Sequence, residues 1–509
     1  MTMVMSTDSI SAKNATNAPS RPLVSWPLLI GLVTFLLGVT AHQIFWDPDT
    51  YWHIASGNWI IAHRAIPDHD LFSHSMAGTP WTVHEWGSQV IIASVYKWFG
   101  WGGLQVLVAT AFAVTMASLA RFLSHRLEPV HMISAAALAA ILLWTHYLVR
   151  PHVLAWPLLA VWVGAFANAA EHRRTPPWSM VLLMVAWANL HLSYTLALAI
   201  GAGFATDAVM QEATWPERFV KARAWAIFLT VCTAALLLNP HGWNAIKYTI
   251  DVMGMKSLNM VSEWRSADFH DFQMVTIWIV LVLGLAFGGW FRLSWPRTVL
   301  MLVLFYMALK HQRYHSLLGL VSMYVLAEPF ARQWYARPVQ APEGSDTLDK
   351  LFRALQGQAQ LAGIGIAVLV AAGVAWARLT MSPPVPPPTT TPAAALAAAD
   401  SLHVSGNVFN SYVFGGYLIY RGIPVMIDGR SDMYGDSLMA DVSDAVQLKK
   451  RGTLERLLET HHITWSLLTP STPATQLLDH LPGWERVYAD TIAVLHVRTD
   501  AMKAAGAGR

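Results

Sequence analysis

Long apolar runs separated by short polar loops constrain the fold of this chain more than any other feature. Runs able to span a bilayer begin near residues 24, 103, 132, 152, 178, 192, 223, 272, 297, 316 and 360. A spanning helix needs about 20 apolar residues, and shelter from neighbouring helices permits the shorter runs. Because 54% of the 509 residues are hydrophobic and 13% are charged, we predict a polytopic α-helical membrane protein of about eleven spans.

The remaining composition excludes several classes of protein. The formal net charge is +3, and the basic residues are spread over short loops, which argues against nucleic acid as a partner. The single cysteine, Cys232, lies in an apolar run, so an internal disulfide is excluded. Residues 1–22 are polar and precede a run long enough to span, which favours a disordered cytoplasmic tail over a cleavable signal.

The loops fall into two chemically different sets when they are assigned alternately to the two sides of the membrane. The basic set, which marks the cytoplasmic side, comprises 121–126, 171–174, 217–223, 291–297 and 331–337. The opposite set collects most of the distinctive Asp, Glu, His and Asn residues and comprises 47–49, 84–86, 150–152, 189–191, 239–241, 262–265 and 310–315. This alternation requires that 86–99 form a helix along the outer surface and that 103–122 make the crossing.

The chain changes character after the last apolar run. A Pro/Thr/Ala-rich segment there predicts a linker without a core. The following residues predict a small α/β domain with strands at NVFN, PVMID and WSLLTP, a helix at LERLLET and a closing hairpin at WERVYADTIAVLHVR. We divide the chain into a transmembrane domain (23–380, with a first external loop over 45–99), a linker (381–400), a periplasmic α/β domain (401–500) and a tail (501–509).

An acidic pair follows the first apolar run, in the stretch FWDPDTYWH (45–53). Asp47 and Asp49 lie at the predicted edge of the hydrocarbon, where an ionisable side chain needs a partner or a function to offset its desolvation. The two carboxylates can hold one divalent cation, such as Mg²⁺ or Mn²⁺, or one can act as a base while the other holds a ligand. Capping of the next helix by either residue is the simpler alternative. Glu85 supplies a further acid in the same external loop.

Basic residues on the predicted outer side break the positive-inside trend. Together with nearby histidines they form a candidate substrate- and phosphate-binding set of His84, Arg150, His152, His241, Arg265, Lys310 and Arg313. A lipid-linked phosphate at the outer leaflet would account for these charges. Pairing with Glu263, Asp268 or Asp271 is the alternative. A zinc site at His311 and His315 is disfavoured because Arg313 lies between them.

The stretch WDPDTYWHIASGNWI (46–60) resembles the first external loop of the GT-C membrane glycosyltransferases. Aminoarabinose and protein mannosyl transferases carry an acidic pair, a Tyr and a short helix with a G-D-W-like end there. The catalytic subunits of oligosaccharyltransferases carry an aromatic-Asp-Pro start, which is similar to W-D-P here. Residues 408–436 are distantly similar to the start of the oligosaccharyltransferase external domain, with NSYVFGGY in place of its W-W-D-Y-G motif. The order of parts is similar as well.

This resemblance implies transfer of a sugar from a polyprenyl-phosphate-linked donor to a glycan, lipid or protein acceptor at the outer face of a bacterial inner membrane. It places Asp47 on the family's catalytic aspartate, as a general base or a metal-linked acid. The resemblance gives Asp49 no clear counterpart. From the residues themselves, we hypothesise that Asp49, His84 and Glu85 orient the acceptor or bind a divalent ion, and that Arg150, Lys310 and Arg313 hold the phosphate.

Two other functions remain open from the sequence. The first is a transporter or flippase of a lipid-linked saccharide, against which the clustering of polar groups on one side and the lack of an internal repeat both count. The second is a non-catalytic envelope assembly protein. Catalysis requires that Asp47, Glu85 and the outward basic residues line one cleft.

Overall fold

The computed structural model describes residues 21–336 and 347–500, so the predicted tail 501–509 and most of the predicted tail 1–22 lie outside it. The helices are α1 (Trp26–Thr40), α2 (Asp49–His63), α3 (Trp86–Ser124), α4 (Pro129–Trp144), α5 (Pro151–Glu171), α6 (Ser179–Ala188), α7 (Tyr194–Met210), α8 (Trp215–Ala235), α9 (Trp243–Gly254), α10 (Met274–Phe287), α11 (Trp295–Lys310), α12 (His315–Trp334), α13 (Thr347–Ala354), α14 (Leu361–Thr380), α15 (Ala393–Ser401), α16 (Tyr412–Tyr420), α17 (Ser431–Val446), α18 (Thr453–Thr460) and α19 (Pro473–Leu478). The strands are β1 (Asn407–Asn410), β2 (Ile463–Leu468), β3 (Trp484–Ala489) and β4 (Val494–Arg498).

Each predicted apolar run coincides with a helix of the N-terminal bundle. Within the described residues, α3, α5 and α14 are long and apolar enough to cross a membrane by length and composition, and several others are shorter apolar helices. The apolar helices indicate a membrane protein, while the number of about eleven spans stays a prediction.

A single glycine divides the longest helix. Gly100 has φ 60° and ψ −155° inside α3, a conformation that glycine adopts without the steric cost of a Cβ. The break coincides with the predicted boundary between 86–99 and 103–122, so the helix changes direction where the alternation of loops requires it.

The loops meet in two groups at opposite ends of the bundle. At one end, Nε of Arg126 donates to Glu171 at 3.0 Å. At the other end, Nε of Arg150 lies 3.3 Å from the Asp47 carboxylate. Helix α5 joins the two ends, because it begins directly after Arg150 and ends at Glu171, and a helix of this length extends about 30 Å. The outward set of polar loops therefore converges at one end, as the alternation predicts.

The C-terminal domain contains a four-stranded sheet of order β1-β2-β4-β3, in which β1 and β2 are parallel and the other pairs are antiparallel. The strands at NVFN and WSLLTP, the helix at LERLLET and the closing hairpin are confirmed. The strand at PVMID is wrong: outside a single bridge from Val425 to Ser73, the segment does not pair with a strand. The Asn410 side chain instead accepts from the backbone N–H of Met426 and donates to the carbonyl of Ile427, which satisfies these backbone groups without a sheet.

The predicted linker is too long at its C-terminal end. Residues 393–401 form α15, in which Ala395, Leu396 and Ala399 are buried in the core of the C-terminal domain. The three side chains lie on one side of the helix, since Ala399 is three residues from Leu396 and four from Ala395, the spacings that share a helix face. Their apolar spacing outweighs the linker-like composition of the segment.

The segment 45–99, predicted as the first external loop, and the C-terminal domain share one hydrophobic core. Trp52, Trp81 and Val83 from the loop pack in a single cluster with Phe409 and Leu418 from the domain. The two segments therefore form one structural unit beside the end of the bundle that carries the polar loops.

A buried arginine connects the same two segments. Arg430 Nη1 donates to Asp70 of the external loop at 2.6 Å, and Nη2 and Nε donate to Asp428 at 2.7 and 2.9 Å. The arginine side chain is 1% exposed and both aspartates are fully buried. Tyr434 also donates to Asp428, so both carboxylates are paired and the DGRSDMYGD stretch is held by internal bonds.

Candidate active site

One arginine lies among three carboxylates at the polar end of the bundle. Arg150 Nε is 3.3 Å from Asp47 and Nη1 is 3.1 Å from Glu263, while Nη2 pairs with Asp49. Asp47 lies between α1 and α2, Asp49 is the first residue of α2, and Glu263 lies in a short turn before α10. Three segments distant in the sequence thus supply one ionic cluster.

The Asp-Pro-Asp sequence shapes its own part of this cluster. Asp47 Oδ1 accepts a hydrogen bond of 2.8 Å from the backbone N–H of Asp49, at the start of α2. The other carboxylate oxygen of Asp47 points to Arg150. The N-cap position of α2 is Pro48, which makes no side-chain cap, so the predicted capping by Asp47 or Asp49 is not found; Asp47 instead accepts from the first N–H of the helix and pairs with Arg150.

Two glycines let the C-terminal domain approach the acidic pair. A Cβ on Gly416 would collide with the Pro48 carbonyl, and a Cβ on Gly429 would overlap the Asp49 carboxylate. The backbone of the domain thus packs directly on the Asp-Pro-Asp segment. These contacts explain the glycines of the GGY and DGR sequences by close approach, without any unusual backbone dihedral.

Gly429→Ala is expected to displace the Asp49 carboxylate from Arg150. Since two heavy atoms cannot overlap, the backbone near Asp49 or the domain must shift, and misplacement by about 1 Å in an active site can cost about 10²-fold in rate. We expect a loss of that size in the rate of any reaction catalysed at this site, measured on purified protein that still elutes as a folded species. Gly254→Ala is the matched control, because a Cβ there meets open space. Equal activity in both variants would contradict the close approach.

The pKa values of the two carboxylates on either side of Arg150 are shifted in opposite directions. Desolvation raises the pKa of Asp47 above its ordinary value, although the nearby guanidinium acts against this shift. Burial also disfavours the charged form of Glu263, but Arg150 and Arg313 outweigh it and lower the pKa of Glu263 to about 2. Glu263 is therefore a fixed anion, whereas Asp47 is the stronger base of the two.

A second polar cluster surrounds Glu85. Its carboxylate lies 3.3 Å from Nε2 of His191 and 3.6 Å from Nε2 of His84. Burial opposes charge on both Glu85 and His84, yet their mutual attraction lowers the pKa of Glu85 and raises that of His84. Desolvation lowers the pKa of His191 to about 3. The result is an anionic Glu85 that favours the protonated form of His84, beside a neutral His191.

Two cavities meet at the Arg150 cluster. The first, of about 240 Å³, is also lined by Glu85, His191 and Arg313. The second, of about 970 Å³, opens between the bundle and the C-terminal domain and is lined by Asp47. Residues that line both are Asp49, His146, Arg150, Val261, Glu263 and Tyr412. Asp47, Glu85, Arg150 and Arg313 therefore lie around two adjoining cavities that share a wall at Arg150, with Asp47 on the second cavity and with Glu85 and Arg313 on the first.

Three of the predicted binding residues lie away from these two cavities. The Arg265 guanidinium donates to the carbonyls of Asn259 and Met260 in its own loop. Nε2 of His241 lies 3.1 Å from the Val83 carbonyl. Lys310 is exposed, with Nζ 5.9 Å from the Tyr306 ring. In contrast, His84 and His152 line the first cavity beside Arg150 and Arg313.

Several lining residues were missed by the sequence analysis. Glu263 was considered only as a neutralising partner, although its loop belongs to the outward set. Tyr412 has no distinguishing motif, and His191 lies in the outward loop 189–191 without being assigned to the binding set. Tyr248, which donates to Asp432 across the first cavity, gave no signal either, because this contact joins the bundle to the C-terminal domain.

The residues present do not fit the divalent cation predicted at Asp47 and Asp49. Both carboxylates are paired with Arg150, whose guanidinium lies where a shared cation would be held. Across residues 21–336 and 347–500, no group of three or more His, Cys, Asp or Glu residues is arranged to hold a metal ion.

Comparison with solved structures shows the architecture. The crystal structure of the oligosaccharyltransferase of Archaeoglobus fulgidus in the apo form matches 87% of this chain and 69% of its own chain, at 10% identity and a TM-score of 0.52. This chain has a GT-C-like fold. The resemblance seen in the Asp47 stretch is thus confirmed at the level of architecture.

Further matches have lower TM-scores. ArnT from Cupriavidus metallidurans bound to undecaprenyl phosphate matches 94% of this chain and 98% of its own, at 10% identity and a TM-score of 0.38. The archaeal oligosaccharyltransferase in complex with Zn and sulfate matches 87% of this chain and 68% of its own, at 10% identity and a TM-score of 0.40. The sequence of this chain matches no protein-family model and no curated protein.

Proposed function

We propose that this chain is an inverting glycosyltransferase of a bacterial inner membrane. It would transfer a sugar from a polyprenyl-phosphate-linked donor to a glycan, lipid or protein acceptor at the periplasmic face, where the C-terminal domain would lie. The observation that carries the proposal is the position of Asp47: a largely buried carboxylate with a raised pKa, beside an arginine, on the wall of a large cavity. The GT-C-like fold supports the same class of reaction.

The acceptor in this proposal enters the second cavity, which Asp47 lines. Asp47 takes the proton from the acceptor nucleophile as that nucleophile attacks the anomeric carbon of the sugar. The bond from the anomeric carbon to the phosphate oxygen breaks at the same time, and its electron pair leaves with the phosphate. Attack from the face opposite the leaving group inverts the anomeric configuration.

The phosphate of the donor lies in the first cavity, near Arg313. Nη1 of Arg313 is 3.6 Å from Glu263, its guanidinium stacks on the Trp264 ring at 4.2 Å, and its side chain is 27% exposed. The arginine is therefore held in place but keeps donors free for a ligand. Stabilisation of the departing phosphate by a fixed guanidinium lowers the barrier, because negative charge accumulates there in the transition state.

The test of this proposal is binding of a polyprenyl phosphate to the purified full-length protein in detergent micelles. We expect saturable binding of a C55 polyprenyl monophosphate in native mass spectrometry, with phosphatidic acid as a competitor that carries the same head group on a different chain. Arg313→Ala should weaken binding about tenfold or more, since a hydrogen bond to a charged group contributes about 1.5–3 kcal/mol.

The matched control for Arg313 is Arg421→Ala. Arg421 is a partly exposed arginine of the C-terminal domain that pairs with Asp400 at 3.4 Å. Equal binding in the two variants, or no saturable binding in the wild type, would contradict the proposal. Mass analysis of envelope glycans in a deletion strain and in an Asp47→Ala strain then separates transfer from transport. Loss of the same glycan in both supports transfer, and its retention in the Asp47→Ala strain supports a transporter.

A further inference from the structure

The Arg150 guanidinium has the surroundings of a bound metal ion. Three carboxylates from two distant chain segments converge on it: Asp47 and Asp49 from the turn into α2, and Glu263 from the loop before α10. Convergent carboxylates from separate segments are the ligands that Mg²⁺, Mn²⁺ and Ca²⁺ prefer in proteins. Here the cation that the three carboxylates surround is the guanidinium of Arg150.

The three carboxylates use three different nitrogens of this guanidinium. Nε faces Asp47, Nη1 faces Glu263 and Nη2 faces Asp49. A guanidinium carries five N–H donors in a fixed planar fork, so it can hold several carboxylates in set directions, as a coordination sphere does. A lysine ammonium has three donors on a flexible stem and lacks this fixed geometry.

The backbone that carries Arg150 is itself anchored to the acidic segment. Thr50 Oγ1 donates to the Val149 carbonyl at 3.0 Å, and the Val149 N–H donates to the Ile44 carbonyl at 3.1 Å. Pro151 follows at the first position of α5, where its fixed φ restricts the chain. The backbone directly before Arg150 is therefore hydrogen-bonded to the segment that carries Asp47 and Asp49.

Charge in the cluster is close to balance without any added ion. Asp47, Asp49 and Glu263 supply three negative charges, and Arg150 and Arg313 supply two positive charges around them. A divalent ion placed among the same carboxylates would have to lie against the Arg150 guanidinium. Like charges at such a distance repel each other strongly in a buried site.

We infer that the Arg150 guanidinium replaces the divalent cation of this site, so that the protein orients Asp47 and Asp49 without a bound metal. The inference relies on the proposed function only for the task that the oriented carboxylates perform. The composition of the cation site is independent of that task and can be measured without a transfer assay.

The first experiment measures metal in the unaltered full-length protein. We expect less than stoichiometric Mn, Mg and Zn in protein purified without chelator, and no saturable Mn²⁺ binding by electron paramagnetic resonance. Binding of C55 polyprenyl monophosphate should be unchanged by EDTA. A stoichiometric divalent metal, or loss of the lipid on chelation, would overturn the inference.

The second experiment removes the arginine and asks whether a metal takes its place. Arg150→Ala leaves three carboxylates without their cation, and we expect Mn²⁺ affinity at least tenfold higher than in the wild type. The double variant Arg150→Ala/Glu263→Gln should lose this gain, because one ligand charge is gone. Arg421→Ala, outside the cluster, should show no gain.

Arg150→Gln provides the same comparison if the alanine variant does not fold, since glutamine keeps hydrogen-bonding capacity without the charge. A folded Arg150 variant with no gain in Mn²⁺ affinity would show that the carboxylates do not form a cation site, and would overturn the inference. Absence of polyprenyl phosphate binding together with a gain of Mn²⁺ binding would contradict the proposed function alone.

Discussion

Asp47→Asn is expected to reduce the rate of sugar transfer by about 10³-fold, within the range that a positioned general base supplies. Asparagine matches aspartate in size and keeps an oxygen that can accept from the Asp49 N–H, as Asp47 does at 2.8 Å. The substitution removes the negative charge and the basic oxygen. The local fold should therefore survive while proton transfer from the acceptor is lost.

The measurement is transfer by purified protein reconstituted in vesicles with a lipid-linked sugar donor, with kcat and KM determined separately. A fall in kcat at a nearly constant KM is expected, because the base acts in the transition state. Asp68→Asn is the matched control: Asp68 lies in the same external loop, and its side chain is 92% exposed. Full activity of the Asp47→Asn variant would show that Asp47 is not the general base of the transfer reaction.

Arg430→Ala is expected to destabilise the unit formed by the external loop and the C-terminal domain by about 3–5 kcal/mol, the cost of breaking a buried ion pair. The substitution leaves Asp70 and Asp428 buried without the guanidinium that pairs with both of them. It also removes packing against the Trp81 ring, which lies 4.7 Å from the guanidinium carbon. The acidic pair at Asp47 and Asp49 loses support in turn, since the same domain packs on it.

The thermal unfolding midpoint of the purified protein measures this effect, and limited proteolysis shows whether the C-terminal domain is the part that opens. Arg456→Ala is the matched control, because Arg456 pairs with Asp441 at 2.9 Å on a surface where its side chain is 52% exposed. Exposed pairs of this kind contribute about 0–1 kcal/mol. Similar midpoints for the two variants would show that the buried network does not hold the unit together.

The sequence alone determined the periodic and local features of this protein. Apolar runs located the helices of the bundle, and short strand-like runs located the four strands of the sheet, with one further strand predicted wrongly at PVMID. The alternation of basic and polar loops sorted Asp47, Glu85, Arg150 and Arg313 to one end, because each helix must bring the chain to the opposite end of the bundle. Asp47 was identifiable because a carboxylate directly after an apolar run needs a partner or a function.

The tertiary structure alone decided which of these residues act together. The pairing of Arg150 with Asp47, Asp49 and Glu263 depends on the packing of segments about 100 residues apart, so no local pattern predicts it. The role of Gly429 was equally hidden, because only the docked domain shows that a Cβ would strike Asp49. Local sequence fixes hydrophobic period and turn chemistry, whereas contacts between distant segments follow from how the helices and the domain pack together.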